Sequence, residues 1–178
     1  MTSKILVTGG VRSGKSRHAE HLFADEPGVT YVAPGAVPDP VADPEWAARV
    51  AEHQLRRPPH WSTVETRDVA AALRGTEGTV LVDCLGTWLT ATIDAWETWD
   101  QPLRDWRSRF DEELAGLVEA WGARTSLTVA VTNEVGWGLV SEHRSGRIFT
   151  DLLGRTNAEV AAVSDQVHLV VAGRVLML

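Results

Sequence analysis

The chain has 178 residues, with 17 Lys and Arg against 24 Asp and Glu, a formal net charge of −7 and 44% hydrophobic residues. That length suits a single domain, 1–178, with a substantial core. The acidic balance argues against a nucleic-acid binder that works by neutralising phosphates, and no apolar run reaches membrane-spanning length.

The first element is an apolar strand, Ile5–Thr8. It leads into Gly9-Gly10-Val11-Arg12-Ser13-Gly14-Lys15-Ser16, and a helix is expected over Lys15–Ala24. This is the phosphate-binding P-loop pattern in its required setting, strand before and helix after. Glycines let the backbone bend until its N–H groups converge on phosphate oxygens, and the helix start adds its positive dipole end. Lys15 would reach the β- and γ-phosphates, and the Ser16 hydroxyl would ligate Mg²⁺. The chain has two lysines, Lys4 and Lys15, against fifteen arginines. It keeps lysine where a P-loop needs a compact, flexible ammonium.

Thr30–Ala33 reads as a second strand. Pro34-Gly35-Ala36-Val37-Pro38-Asp39-Pro40 is too rich in proline for regular structure and has the length of a binding loop. Asp43 and Pro44 make a helix start, as N-cap and first helical position, and that helix should run through Leu55. On it Arg49, Arg56 and Arg57 share a face with His53. An imidazole ringed by guanidiniums should be neutral, and such a group beside phosphate-binding arginines could attack phosphorus. The alternative is a solvated basic face.

Trp61–Glu65 alternates like a short strand, and Asp68–Leu73 is a short helix. Gly78–Asp83 is a buried strand ending in a carboxylate, the Walker-B arrangement that holds Mg²⁺; the alternative is an Asp capping the next helix. Cys84, the sole cysteine, fits a reducing compartment and reads as a buried thiol. Thr87–Trp96 is expected to be helical. Leu103, Trp106, Phe110, Leu114, Leu117, Val118 and Trp121 mark one face of a long amphipathic helix. Leu127–Thr132 is a strand followed by Glu134, either a site residue at the sheet edge or a cap. A helix covers about Arg147–Ser164. Val167–Val171 and Arg174–Leu178 flank Ala172-Gly173 as a closing hairpin. Strands alternating with helices predict an α/β fold: a P-loop NTPase-like, mostly parallel sheet with helices on both faces and an antiparallel C-terminal edge hairpin. The other histidines, His18, His21, His60 and His168, read as surface, packing or loop residues, while His143 could face a ligand. No His/Cys cluster has zinc spacing. Eight tryptophans suggest core or oligomer contacts. No Asn-Lys-x-Asp guanine motif is present, since no lysine follows Lys15.

These segments resemble the bifunctional adenosylcobinamide kinase / adenosylcobinamide-phosphate guanylyltransferase family of cobalamin biosynthesis, nearly end to end. The P-loop, Ala48-Arg49-Val50 with His53 and Arg57-Pro58, Trp61–Glu65, Leu81–Leu85, Thr132-Asn133-Glu134-Val135-Gly136 and Gly154-Arg155-Thr156-Asn157 carry the likeness. Pro34-Gly35 departs from the family's Thr-Ala-like pair, and Pro38–Pro44 looks longer than usual. The resemblance implies two reactions. A nucleoside triphosphate, ATP or GTP, phosphorylates the aminopropanol hydroxyl of adenosylcobinamide. His53 then attacks the α-phosphorus of GTP and carries GMP to adenosylcobinamide phosphate, giving adenosylcobinamide-GDP. The resemblance also implies nucleotide contacts along the P-loop and at Pro34, Gly35, Gln54, Leu55, Arg56, Arg57, Glu65 and Asp83. It implies a trimer. A bulky corrinoid needs an open groove, for which Trp137 or Trp88 are candidate lining residues. A cytoplasmic enzyme is expected. The competing readings are another small-molecule P-loop kinase without a covalent step, and a nucleotide-sensing binding protein.

Overall fold

The computed structural model describes residues 3–178. In chain order its elements are β1 (Lys4–Gly9), α1 (Lys15–His21), β2 (Val29–Ala33), α2 (Pro44–Arg56), β3 (Ser62–Glu65), α3 (Val69–Gly75), β4 (Thr79–Asp83), α4 (Leu85–Trp96), α5 (Leu103–Gly122), β5 (Thr128–Val131), α6 (Arg144–Ala162), β6 (Gln166–Val171) and β7 (Arg174–Met177). The strands form one sheet in the order β3-β2-β4-β5-β1-β6-β7. All neighbours are parallel except β6 and β7. The expected doubly covered parallel sheet with an antiparallel edge is therefore what forms.

The central strands carry continuous apolar runs because both their faces are covered. Residues such as Leu6, Val80, Val82 and Ala130 pack under α3, α4, α5 and α6. Ile5, Val7, Leu81, Val129 and Val131 pack on the other face with Ala19 and Phe23. The heptad-like stripe of α5 is buried at Trp106, Phe110, Leu114, Leu117 and Trp121. By contrast β3 and β7 are edge strands, exposed along their whole length.

Several boundaries differ from the sequence reading by one to three residues, among them those of α1, α4 and α6. Helix α1 stops at His21 and a turn takes over to Asp25. Helix α4 starts at Leu85, two residues early, because the Cys84 N–H is satisfied by Thr87 Oγ1. Helix α6 starts at Arg144, earlier than Arg147. Trp88 is buried at 2% exposure in the core beneath α4, so it cannot line a surface groove; Trp137, 75% exposed, remains at the surface.

Helix α2 is different in kind. It begins as expected, with Asp43 accepting from the Trp46 N–H at 2.9 Å and Pro44 in the first turn. Yet none of its residues is buried. It lies at the C-terminal edge of the sheet, held by side-chain tips rather than by a packed face.

Candidate active site

In a parallel sheet the loops after the strands gather at one edge, where ligands bind. Here β1 delivers the P-loop, β4 delivers Asp83 and β5 delivers Asn133 and Glu134. The P-loop turns sharply at Gly14, whose φ of 96° is left-handed and suits glycine. A side chain at Gly9 would stand 2.4 Å from the Val170 carbonyl oxygen, so the loop's entry tolerates only glycine. The hairpin turn between β6 and β7 braces the loop from outside, with the Gly173 N–H donating to Ser13 O at 2.8 Å. Lys15 Nζ curls back to Gly10 O at 3.1 Å. Burial holds the Lys15 ammonium below the usual lysine range; Cys84 and Asp83 oppose this and Arg49 adds to it.

A cavity of about 290 Å³ opens beside the loop. Val11, Arg12, Lys15, Ser16, Gly35, His53, Arg57, Glu65 and Asp83 all line it. So the structure brings together residues that lie up to 72 positions apart in the chain, from Val11 to Asp83. His53 Nδ1 stands 3.5 Å from Asp83 Oδ2, and the same oxygen accepts from the Tyr31 hydroxyl at 3.0 Å. Burial pushes the Asp83 carboxyl up, but His53, Tyr31 and Ser16 together outweigh it and hold the group below the usual carboxylate range. Burial first, and then Asp83, pushes the Tyr31 phenol well above its ordinary value, so it stays a donor.

The sequence reading surrounds His53 with guanidiniums alone, and the structure differs. Arg56 Nη2 is 3.3 Å from His53 Nδ1, but Arg56 is also shared with Glu52 and Glu20. Arg57 stacks on Tyr31 at the cavity wall, its Cζ 3.5 Å from the ring centroid. Arg49 lines the cavity near Lys15. The imidazole thus sits between a carboxylate and a cation, with Nε2 as its other ring nitrogen.

Some expected residues lie elsewhere. Leu55 is 87% exposed and does not line the cavity. Gln54 lines a shallower depression with Arg57, Pro58, Pro59, Trp61, Thr63 and Glu65. Pro34 is buried behind the loop, while its neighbours Gly35, Ala36, Val37 and Pro38 form the cavity wall.

Sequence reasoning missed Tyr31, Trp46, Thr87, Asn133 and Phe149, which also line the cavity. Tyr31 looks like an ordinary strand residue until its hydroxyl is seen on Asp83. The two Asn-bearing segments are wired together: the Thr132 hydroxyl donates to Asn157 Oδ1 at 2.6 Å, and Asn157 Nδ2 donates to Asn133 O at 3.0 Å. Two polar atoms of the site, Ser13 Oγ and Arg57 Nε, are buried with no hydrogen-bond partner among the described residues. Such groups are rare unless a ligand completes them.

A family model described as cobinamide kinase / cobinamide phosphate guanyltransferase matches residues 5–178. The chain belongs to that family. It is 40% identical to the bifunctional adenosylcobalamin biosynthesis protein CobU of Salmonella typhimurium, across 95% of this chain and 96% of that protein. It is 38% identical to CobU of Escherichia coli, with the same coverage, and 36% identical to CobP of Pseudomonas aeruginosa across 94% and 92%. Among solved structures, a type III secretion system ATPase of pathogenic bacteria superposes with a TM-score of 0.54 at 13% identity. That match covers 94% of this chain and 50% of that one and speaks to the fold alone. As a cobinamide kinase / guanyltransferase family member the chain is a transferase with a nucleotide-binding P-loop fold.

Proposed function

We propose that this chain phosphorylates the aminopropanol hydroxyl of adenosylcobinamide with ATP or GTP, and then transfers GMP from GTP through a covalent His53–GMP intermediate. Family membership supports the pair of activities. The covalent step rests on one observation: His53 Nδ1 is 3.5 Å from Asp83 Oδ2, in a cavity also lined by Lys15 and Ser16. A carboxylate at Nδ1 favours the tautomer with its proton there, leaving the lone pair on Nε2, provided that Arg56, a pure donor 3.3 Å from the same nitrogen, stays with Glu20 and Glu52 instead.

The first half-reaction then balances simply. His53 Nε2 forms a bond to the α-phosphorus of GTP, and the bond to the bridging oxygen breaks, releasing pyrophosphate. Lys15 and the P-loop N–H groups hold the departing phosphates, and Arg49 and Arg57 add positive charge where negative charge gathers. In the second half-reaction a phosphate oxygen of adenosylcobinamide phosphate attacks the same phosphorus. The N–P bond breaks, and the ring returns neutral, with its proton still on Nδ1 and directed at Asp83. Asp83, beneath the ring, fixes its orientation throughout.

Ser16 and Asp83 supply the hard oxygen donors that Mg²⁺ prefers. Asp83 Oδ2 takes both Tyr31 and His53, which leaves Oδ1 for a cation. No group of three or more acidic, His or Cys side chains clusters for a metal among the described residues. That fits an ion held mainly by phosphate oxygens and water. Mg²⁺ would screen the triphosphate and polarise its phosphoryl oxygens.

We also infer a homo-oligomer, a trimer as in the family resemblance, acting in the cytoplasm without nucleic acid. The exposed Val175, Leu176 and Met177 on edge strand β7 support the oligomer, and light scattering after size exclusion tests it. The formal charge of −7 supports the absence of nucleic acid. No helix among the described residues is long and apolar enough to cross a membrane.

The test is incubation with α-labelled GTP and Mg²⁺. Acid-labile label should remain on the protein and vanish in His53→Ala. Label persisting in that variant would refute the assignment.

A further inference from the structure

The functional reading leaves one carboxylate of the P-loop edge unused. Glu134 follows β5, which lies between β4 and β1. Its N–H donates to Gly9 O at 3.1 Å, so its backbone is tied to the start of the P-loop. Its side chain is fixed as well: the buried Thr8 hydroxyl donates to Glu134 Oε1 at 2.8 Å. Glu134 makes no ion pair among the described residues, and Oε2 has no protein partner there. Glu134 is thus a partly buried carboxylate fixed through one oxygen, with the other free to meet an incoming hydroxyl. Asp83, its counterpart after β4, is by contrast committed to His53 and Tyr31.

The segment after Glu134 points to what lies there. Trp137, Leu139 and Val140 are 75%, 102% and 79% exposed. This apolar stretch is braced from beneath: Arg147 donates to Ser141 O and Glu142 O, both at 2.8 Å. Arg144 ties the start of α6 to the carbonyls of Trp99 and Gln101. The nucleophilic imidazole and its arginines stand on the β2–β4 side of the P-loop. Glu134 and the apolar segment stand after β5, toward α6. Because β5 lies between β4 and β1, Glu134 stands between Asp83 and the P-loop, beside Asn133, which lines the same cavity as His53. The exposed apolar segment next to it offers a place for a large, partly apolar acceptor alcohol.

We propose that Glu134 is the general base of the phosphoryl-transfer step, taking the proton of the acceptor hydroxyl at Oε2 while Thr8 holds Oε1. This rests on the kinase activity proposed above. The hydroxyl O–H bond breaks and its proton passes to Oε2. The oxygen forms a bond to the γ-phosphorus, and the bond from that phosphorus to the β–γ bridging oxygen breaks. The nucleoside diphosphate leaves with the electron pair. Guanylyl transfer to His53 needs no proton from an alcohol, so it does not use Glu134.

The experiment measures two activities on each purified variant: phosphorylation of adenosylcobinamide at saturating nucleotide, and acid-labile α-label on His53. For Glu134→Gln, kcat for phosphorylation should fall about 100-fold with little change in the nucleotide KM, while the α-label is kept. Thr8→Val keeps the carboxylate but removes its guide, and the same selective loss of about 10-fold is expected. Phosphorylation within threefold of wild type in Glu134→Gln would overturn the proposal, as would label and phosphorylation falling in parallel in both variants. Wild-type protein that takes the α-label but phosphorylates no cobinamide would instead sink the kinase reading on which the proposal depends.

Discussion

The indole of Trp46 lies against Gly35, and its Nε1–H donates to Ala36 O at 3.0 Å. This contact joins α2 to the proline-rich loop after β2, and both form walls of the cavity. A methyl group added at Gly35 would stand 2.7 Å from Trp46 Cζ2, too close for any side chain. Gly35→Ala should therefore push Trp46, and with it the His53 helix, out of place. We expect α-label formation to slow about 10- to 100-fold, the usual consequence of an ångström-scale misplacement. In a Trp46→Ala background the added methyl meets open space, so Gly35→Ala should cost little more. A full additional loss in the double variant would mean that the loop acts by another route.

Asn157 joins two loops of the site through Thr132 and the Asn133 carbonyl. Asn157→Ala leaves a buried hydroxyl and a carbonyl without partners. Denaturant unfolding should show a loss of about 2 kcal/mol. Asn157→Asp keeps the acceptor for Thr132 but not the donor for Asn133, so it should also destabilise the protein. A neutral Asn157→Ala would show that water replaces both bonds.

Asp83 gives a pH signature. Its carboxyl is held below the usual value in the folded chain, so the unfolded chain binds the proton more readily. The resulting stability is fully present above the unfolded value of about 3.9 and is lost as pH falls through the lower folded value. Asp83→Asn should therefore be less stable than wild type near neutrality, and the gap should close in strong acid. Chemical denaturation of both proteins across that range checks it; a gap independent of pH would contradict it.

A second signature comes from His18 on α1 and His168 on β6, whose ring nitrogens are 2.9 Å apart. Burial lowers both from the ordinary histidine value, and His168 and His21 lower His18 further. Both rings are thus harder to protonate folded than unfolded. Stability should be full above about pH 6.5 and fall as the pH drops below it, since the unfolded chain takes up more protons. The double variant His18→Gln, His168→Gln should flatten that slope in thermal melts between pH 5 and 8. An unchanged slope would assign the dependence to other groups.

What the sequence reveals follows the range of each interaction. The P-loop is legible because eight consecutive residues carry it, and Asp83 because a buried strand ends on it. The α2 start is legible because Asp43 and Pro44 are local signals. Tyr31 and Trp46 were not legible as site residues. Their roles depend on Asp83, 52 positions away, and on Ala36, 10 positions away across a turn. Trp88 shows the opposite error: an aromatic residue carries no local sign of which way it faces. Leu55 makes the same point, being apolar yet 87% exposed.

Helix α2 carries His53 and contributes no buried side chain. The scaffold and the proposed nucleophile are therefore separable in inheritance. With His53 as the proposed nucleophile, drift in residues 44–56 is expected to erase nucleotidyl transfer without unfolding the sheet, whereas drift in β1 or β4 should spare neither step. Descendants of this architecture should lose their second chemistry far more readily than their first.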